Sequence, residues 1–139
     1  MVITNQSIGV ASSVSGFKSF DGILGLGPVD LTFRTDNNGD PVPTVLDNLF
    51  SQGTISTETL AISYVPASEP NSNGTLTFGG YDSSVNTSLI EYFPLTTTSP
   101  ASRYWGINQS ITYNETTILS SSAGIVDAGT TLILIASGE

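Results

Sequence analysis

Apolar and polar residues alternate in short runs along most of this chain, and Gly, Pro, Asn or Ser interrupts the runs about every 8–12 residues. A period of two matches strands, whose successive side chains point to opposite faces, so the pattern predicts an all-β fold. The strand-like runs are Val2–Thr4, Ile8–Val14, Gly22–Leu26, Thr59–Val65, Thr75–Phe78, Ile90–Leu95, Trp105–Tyr113 and Thr131–Ile135. Leu60, Ile62 and Tyr64 alternate cleanly, and Leu76 and Phe78 repeat the pattern after the loop Pro66–Gly74, which predicts a hairpin.

One stretch breaks the period. Val45, Leu46, Leu49 and Phe50 form a single helical stripe, with Pro43 and Thr44 placed to start a helix over Val45–Gln52 and Gly53 placed to end it. The loop before it puts Asp36, Asn38, Asp40 and Asp47 at four of the liganding positions of an EF-hand. Pro41, however, occupies the position where that loop needs a glycine with positive φ, so the reading is a solvated loop with no metal.

The side chains available narrow the chemistry. With no His and no Cys among 139 residues, Ser-His-Asp and Cys-His nucleophiles, His/Cys zinc sites and disulfides are all excluded. Three cations against 12 acidic groups, net −9, make nucleic acid and anionic membrane poor partners. No apolar run approaches the roughly 20 residues of a membrane span, and no cationic-then-apolar leader opens the chain. Either the protein is cytosolic or its leader is missing. Carboxylate, hydroxyl and backbone remain for catalysis. A surface of hydroxyls and amides suits acid, and with so few cations few carboxylates are expected to have depressed pKa values. Five Asn-x-Ser/Thr sequons, at Asn5, Asn73, Asn86, Asn108 and Asn114, favour a secretory route.

Two segments stand out. In Phe20-Asp21-Gly22-Ile23-Leu24-Gly25-Leu26-Gly27 the glycines do not follow the G-x-G-x-x-G order of a dinucleotide turn, and the plain reading is a buried strand approached closely by another backbone. In Gly124-Ile125-Val126-Asp127-Ala128-Gly129-Thr130-Thr131 one carboxylate lies between apolar runs. An Asp there is expected to be partly desolvated, with a raised pKa unless Gly129's turn brings backbone N–H groups and Thr130 back to it. A simple Asp-Gly hairpin turn fits equally well. A carboxylate-pair glycoside hydrolase is disfavoured, since Glu58, Glu91 and Glu115 have no motif around them.

In this order, about 100 residues apart, the two segments resemble motifs of the pepsin-like aspartic proteases. Asp47–Phe50 with Gln52-Gly53, then Phe78–Asp82, then Tyr104–Ile107 match between them. Thr4–Val10, Gly27–Thr32, Asn48–Ile55 and Ser99–Ser110 are similar to the cysteine-free, polyporopepsin-like fungal group. The resemblance implies part of a bilobal acid-protease fold, with about 1–80 belonging to the amino-terminal lobe and inter-lobe region and about 81–139 beginning the carboxyl-terminal lobe. It implies that Asp127 is one member of a catalytic carboxylate pair, acting on a water without metal or other cofactor. Gly129, Thr130 and Thr131 would hold the carboxylate and contact a peptide substrate, while Phe20, Ile23 and Ile125 would line side-chain pockets. Pepstatin-type inhibitors, a monomeric full-length enzyme and an extracellular or vacuolar location follow from the same resemblance.

Two departures qualify it. Ala128 stands where the family carries Thr or Ser, whose hydroxyl makes a buried cross-lobe hydrogen bond worth on the order of 1 kcal/mol. The partner Asp-Thr-Gly and the flap tyrosine motif occur nowhere in the chain, and Thr131–Ile135 has no following strand to pair with. The expectation is therefore an internal piece of an aspartic endopeptidase, inactive alone. The alternative is a pepsin-fold protein that only binds peptides or another partner.

Overall fold

The computed structural model describes residues 1–16, 20–35, 38–66, 68–69, 73–84 and 89–136. Among the described residues, regular structure is chiefly strand, with one short α-helix and two single 3-10 turns, Val29–Thr32 and Ala101–Arg103. The chain forms two units, Met1–Leu89 and Ile90–Glu139. Among the described residues no helix is long and apolar enough to cross a membrane.

The first unit is organised around helix α1, Val45–Ser51. Its start is a reciprocal cap: the Thr44 amide donates to Asp47 Oδ2 at 2.7 Å, and the Asp47 amide donates to Thr44 Oγ1 at 3.3 Å. Gly53, at φ +71°, ends it. The Gly53 amide bonds Phe50 O and the Thr54 amide bonds Leu49 O, each at 2.9 Å, so two otherwise orphaned carbonyls are satisfied. The stripe predicted for this helix buries Leu49 almost completely, beside the buried Ile55, whereas Phe50 stays exposed.

The predicted hairpin forms as β1 (Leu60–Ser63) paired antiparallel with β2 (Thr75–Phe78), Leu60 opposite Phe78. Gly79, next along, meets two demands that no other residue satisfies. Its φ is +84°, and a Cβ there would lie 2.8 Å from Ile55 Cβ. Its amide donates to Thr59 O at 2.8 Å, which extends the hairpin toward the helix.

Five expected strands are absent: Val2–Thr4, Ile8–Val14, Gly22–Leu26, Ile90–Leu95 and the described Thr131–Ile135 have the strand pattern but no strand beside them. A lone strand cannot satisfy its own N–H and C=O groups, so pattern without a neighbour does not make a ladder. Thr4 has a substitute. The Gln52 carboxamide accepts from the Thr4 amide at 3.0 Å and donates to the Thr4 carbonyl at 2.9 Å, doing the work of a facing peptide. Asn48 and Gln6 add a second tie at 2.9 Å, so the polar face of α1 holds the first residues of the chain.

The second unit is a longer hairpin. β3 (Gly106–Tyr113) pairs antiparallel with β4 (Thr116–Ile125), from Gly106 opposite Ile125 to Tyr113 opposite Thr116. The two-residue loop Asn114-Glu115 has φ of +46° and +64°, the left-handed pair whose twist matches that of the flanking strands. Alternation did not reveal β4, because its Ser120-Ser121-Ser122 run hides the pattern and Leu119 alone in the strand is buried. Beneath the hairpin, Ala101 is buried, and so is Thr96, whose hydroxyl donates to Asn108 Oδ1 at 2.8 Å and accepts from the Thr98 amide at 3.2 Å.

Candidate active site

Asp127 stands two residues beyond the end of β4. Its approach is fixed by the backbone: the Val126 amide donates to Trp105 O at 2.9 Å, one step past the last ladder pair. The chain then turns back on the carboxylate. The Gly129 amide donates to Oδ1 at 2.9 Å, and the Thr130 hydroxyl donates to Oδ2 at 2.6 Å. Both oxygens thus have a donor, and the Thr130 amide closes the turn on Asp127 O at 3.4 Å.

These donors hold the Asp127 carboxyl below its ordinary value of 3.8, the Thr130 hydroxyl contributing most and the Gly129 amide next. The expected partial desolvation is not found, since Asp127 is exposed in this chain. With little burial to favour the neutral acid, hydrogen bonds to the charged form decide the direction. A Cβ at Gly129 would sit 3.3 Å from Oδ1, close enough that the carboxylate would shift by a few tenths of an ångström. No strand follows the turn within Thr131–Ala136, so the hairpin-turn reading fails although the Asp does cap its own loop.

Few carboxylates are depressed among the described residues, as expected, but Asp127 is not alone, and the cause is hydrogen bonding rather than pairing with cations. Asp82 lies below its ordinary value through the Ser84 hydroxyl and amide. Asp47 does so too: burial acts to raise it, but the Thr44 amide, Glu58 and the Thr44 hydroxyl together outweigh that. Hydroxyls and amides do here what Lys and Arg do elsewhere.

The site candidates fall in both units. Asp127, Gly129 and Thr130 are brought together, while Thr131 follows exposed and makes no bond to the carboxylate. Ile125 ends β4 at 43% exposure. Phe20 and Ile23, in the first unit, are 73% and 75% exposed, so the buried strand expected for their segment is not formed within this chain. Of the sequons, Asn5 and Asn73 are exposed, Asn114 tips the β3–β4 loop, and Asn108 is engaged by Thr96. Asn86, and Asp36 of the EF-hand-like spacing, lie outside the described residues. The role of the Trp105 carbonyl had no sequence signal, being a backbone contact.

The family described as eukaryotic aspartyl protease matches residues 1–139, and the chain belongs to it. Polyporopepsin of Irpex lacteus is 62% identical over 141 residues, covering 99% of this chain and 42% of that protein. Rhizopuspepsin-1 of Rhizopus niveus is 34% identical, covering 97% and 33%. The crystal structure of the aspartic proteinase from Irpex lacteus superposes with a TM-score of 0.92 at 61% identity, over 97% of this chain and 41% of that one. The architecture is therefore part of the pepsin-like fold, and the chain spans about two-fifths of these Irpex lacteus proteins.

Proposed function

We propose that the protein to which these residues belong is an aspartic endopeptidase, with Asp127 as one of its two catalytic carboxylates. The observation that carries the reading is the double clasp on Asp127, in which both oxygens are hydrogen-bonded by donors two and three residues along the chain. A carboxylate held this way is oriented and favoured in its ionised form, as suits a base that takes a proton from water. Two carboxyls about 3 Å apart share a single proton because they cannot both ionise, the behaviour for which aspartic proteases are the reference case. As the activated water adds, the partner acid protonates the carbonyl oxygen. When the resulting gem-diol collapses, the proton that Asp127 took from the water passes to the leaving amine as the C–N bond breaks. No metal or covalent intermediate enters.

Thr131 bonds the substrate backbone in this reading, and Phe20, Ile23 and Ile125 supply apolar pockets flanking the scissile bond. The exposed Asn5, Asn73 and Asn114 are candidates to carry sugar, on an extracellular or vacuolar enzyme that works as a monomer. These 139 residues alone hold one carboxylate of the pair and are inactive.

Ala128 favours a second reading, a pepsin-fold protein that binds peptides without cleaving them. The full-length protein separates the two. Acid-dependent peptide hydrolysis blocked by pepstatin supports the endopeptidase, and tight peptide binding without turnover or pepstatin binding supports the alternative.

A further inference from the structure

The corner beneath the β3–β4 hairpin converges on a residue without a side chain. Gly106 is buried at the first position of β3, opposite Ile125. Its carbonyl accepts from the Thr96 amide at 2.9 Å, and its own amide donates to Tyr104 O at 2.7 Å. A Cβ built on Gly106 would run into the carbonyl of Ala101, with the Ala101 carbonyl carbon and Thr96 Cγ2 each 2.9 Å away. Carbon atoms pack at about 3.5–4.0 Å, so even one methyl group would push the backbone by roughly 0.6–1 Å. The next carbonyl back, that of Trp105, is the one that holds Val126, and Val126 carries Asp127.

We infer that Gly106 is a positioning residue for Asp127: by letting Thr96 and Ala101 close on β3, it sets the point at which Trp105 anchors the strand exit that delivers the carboxylate. Gly106 touches neither substrate nor reacting atoms. It acts through two backbone links, the Gly106–Ile125 pair and the Trp105–Val126 bond. Thr96 braces the same corner twice, through its amide on Gly106 and its hydroxyl on Asn108, whose ladder partner on β4 is Ala123. The chemistry of a shared-proton pair depends steeply on the separation of its two carboxyls. A displacement of about 1 Å is enough to cost on the order of a hundredfold in rate.

The inference rests on the proposed role of Asp127, and the test keeps the two apart. In the full-length enzyme, Gly106→Ala is expected to lower kcat per folded molecule about a hundredfold, with KM within about threefold. The two limbs of its pH–rate profile are expected to draw together, since carboxyls moved apart couple less. If kcat per folded molecule and both limbs match the parent, Gly106 has no positioning role. Should Gly106→Ala fail to fold, Thr96→Val decides. It keeps the shape but loses the hydroxyl and with it two hydrogen bonds, to Asn108 and from the Thr98 amide. At least about fivefold in kcat is expected, the equivalent of one of them, with Thr96→Ser restoring it. An unchanged Thr96→Val then overturns the inference. Asp127→Asn is measured in parallel. Full activity there removes the underlying reading, whereas an inactive Asp127→Asn beside an unaffected Gly106→Ala removes this inference alone.

Discussion

Thr44–Ile55 and Phe20–Gly27 both carry family motifs, and they behave in opposite ways. The first is complete in itself: its helix is capped at both ends, Leu49 and Ile55 are buried, and Gly79 closes on Ile55. The second is exposed from Phe20 to Gly25 and half-buried only at Leu26 and Gly27, and Gly22–Gly25 make no hydrogen bond among the described residues. A helix finds its backbone partners within a few residues, while a strand must find them elsewhere. Motifs of the first kind report local structure. Those of the second kind report a neighbour.

The largest test of this contrast is a pair of truncations in the 139-residue chain, read by urea unfolding. Leu49→Ala is expected to cost about 2–5 kcal/mol, and Ile23→Ala no more than about 0.5 kcal/mol. Comparable losses at the two positions would break the comparison. Next in size is Gly79→Ala, which combines an unfavourable φ with a collision on Ile55. A cost of about 1–3 kcal/mol is expected, with amide protection lost first at Asn48, Gln52 and Thr54.

The smallest effect concerns Glu58, whose carboxyl is raised above its ordinary 4.5, first by its hydrogen bond to Asp47 and then by slight burial and Asp47's charge. A raised folded pKa means the contact stabilises at low pH and fades as pH climbs through that raised value. Asp47, Asp82 and Asp127 run the other way, since their folded values are depressed. Their contributions hold above about 3.8 and fade as pH falls below it. Glu58→Gln keeps a donor for Asp47 at every pH. The stability of α1 should therefore lose part of its decline above pH 4.5, and an unchanged profile would show that the pair contributes nothing.

The same contrast explains what could be read in advance. The helix, its glycine stop and the β1–β2 hairpin were legible because the residues that decide them lie close together in sequence. The five unpaired runs were misread because alternation reports a two-faced segment and says nothing about a partner. β4 was missed for the opposite reason: a serine run conceals a strand that the Asn114-Glu115 turn and the β3 ladder nonetheless enforce. At the site, the hydrogen bonds of Gly129 and Thr130 to Asp127 were one of two outcomes the spacing allowed, and the choice of Asp127 as a site residue came from the family resemblance. The environment of Asp127 was not legible, because solvent exposure depends on contacts no local pattern encodes.

The most direct test is an assay of peptide hydrolysis in acid on the full-length protein and its Asp127→Asn variant, both confirmed folded. The account predicts a fall in kcat of at least about 10²–10⁴-fold, the scale of one acid–base group, with substrate still bound. Turnover equal to the parent would contradict it, because a carboxylate that can be replaced without loss is not half of a catalytic pair.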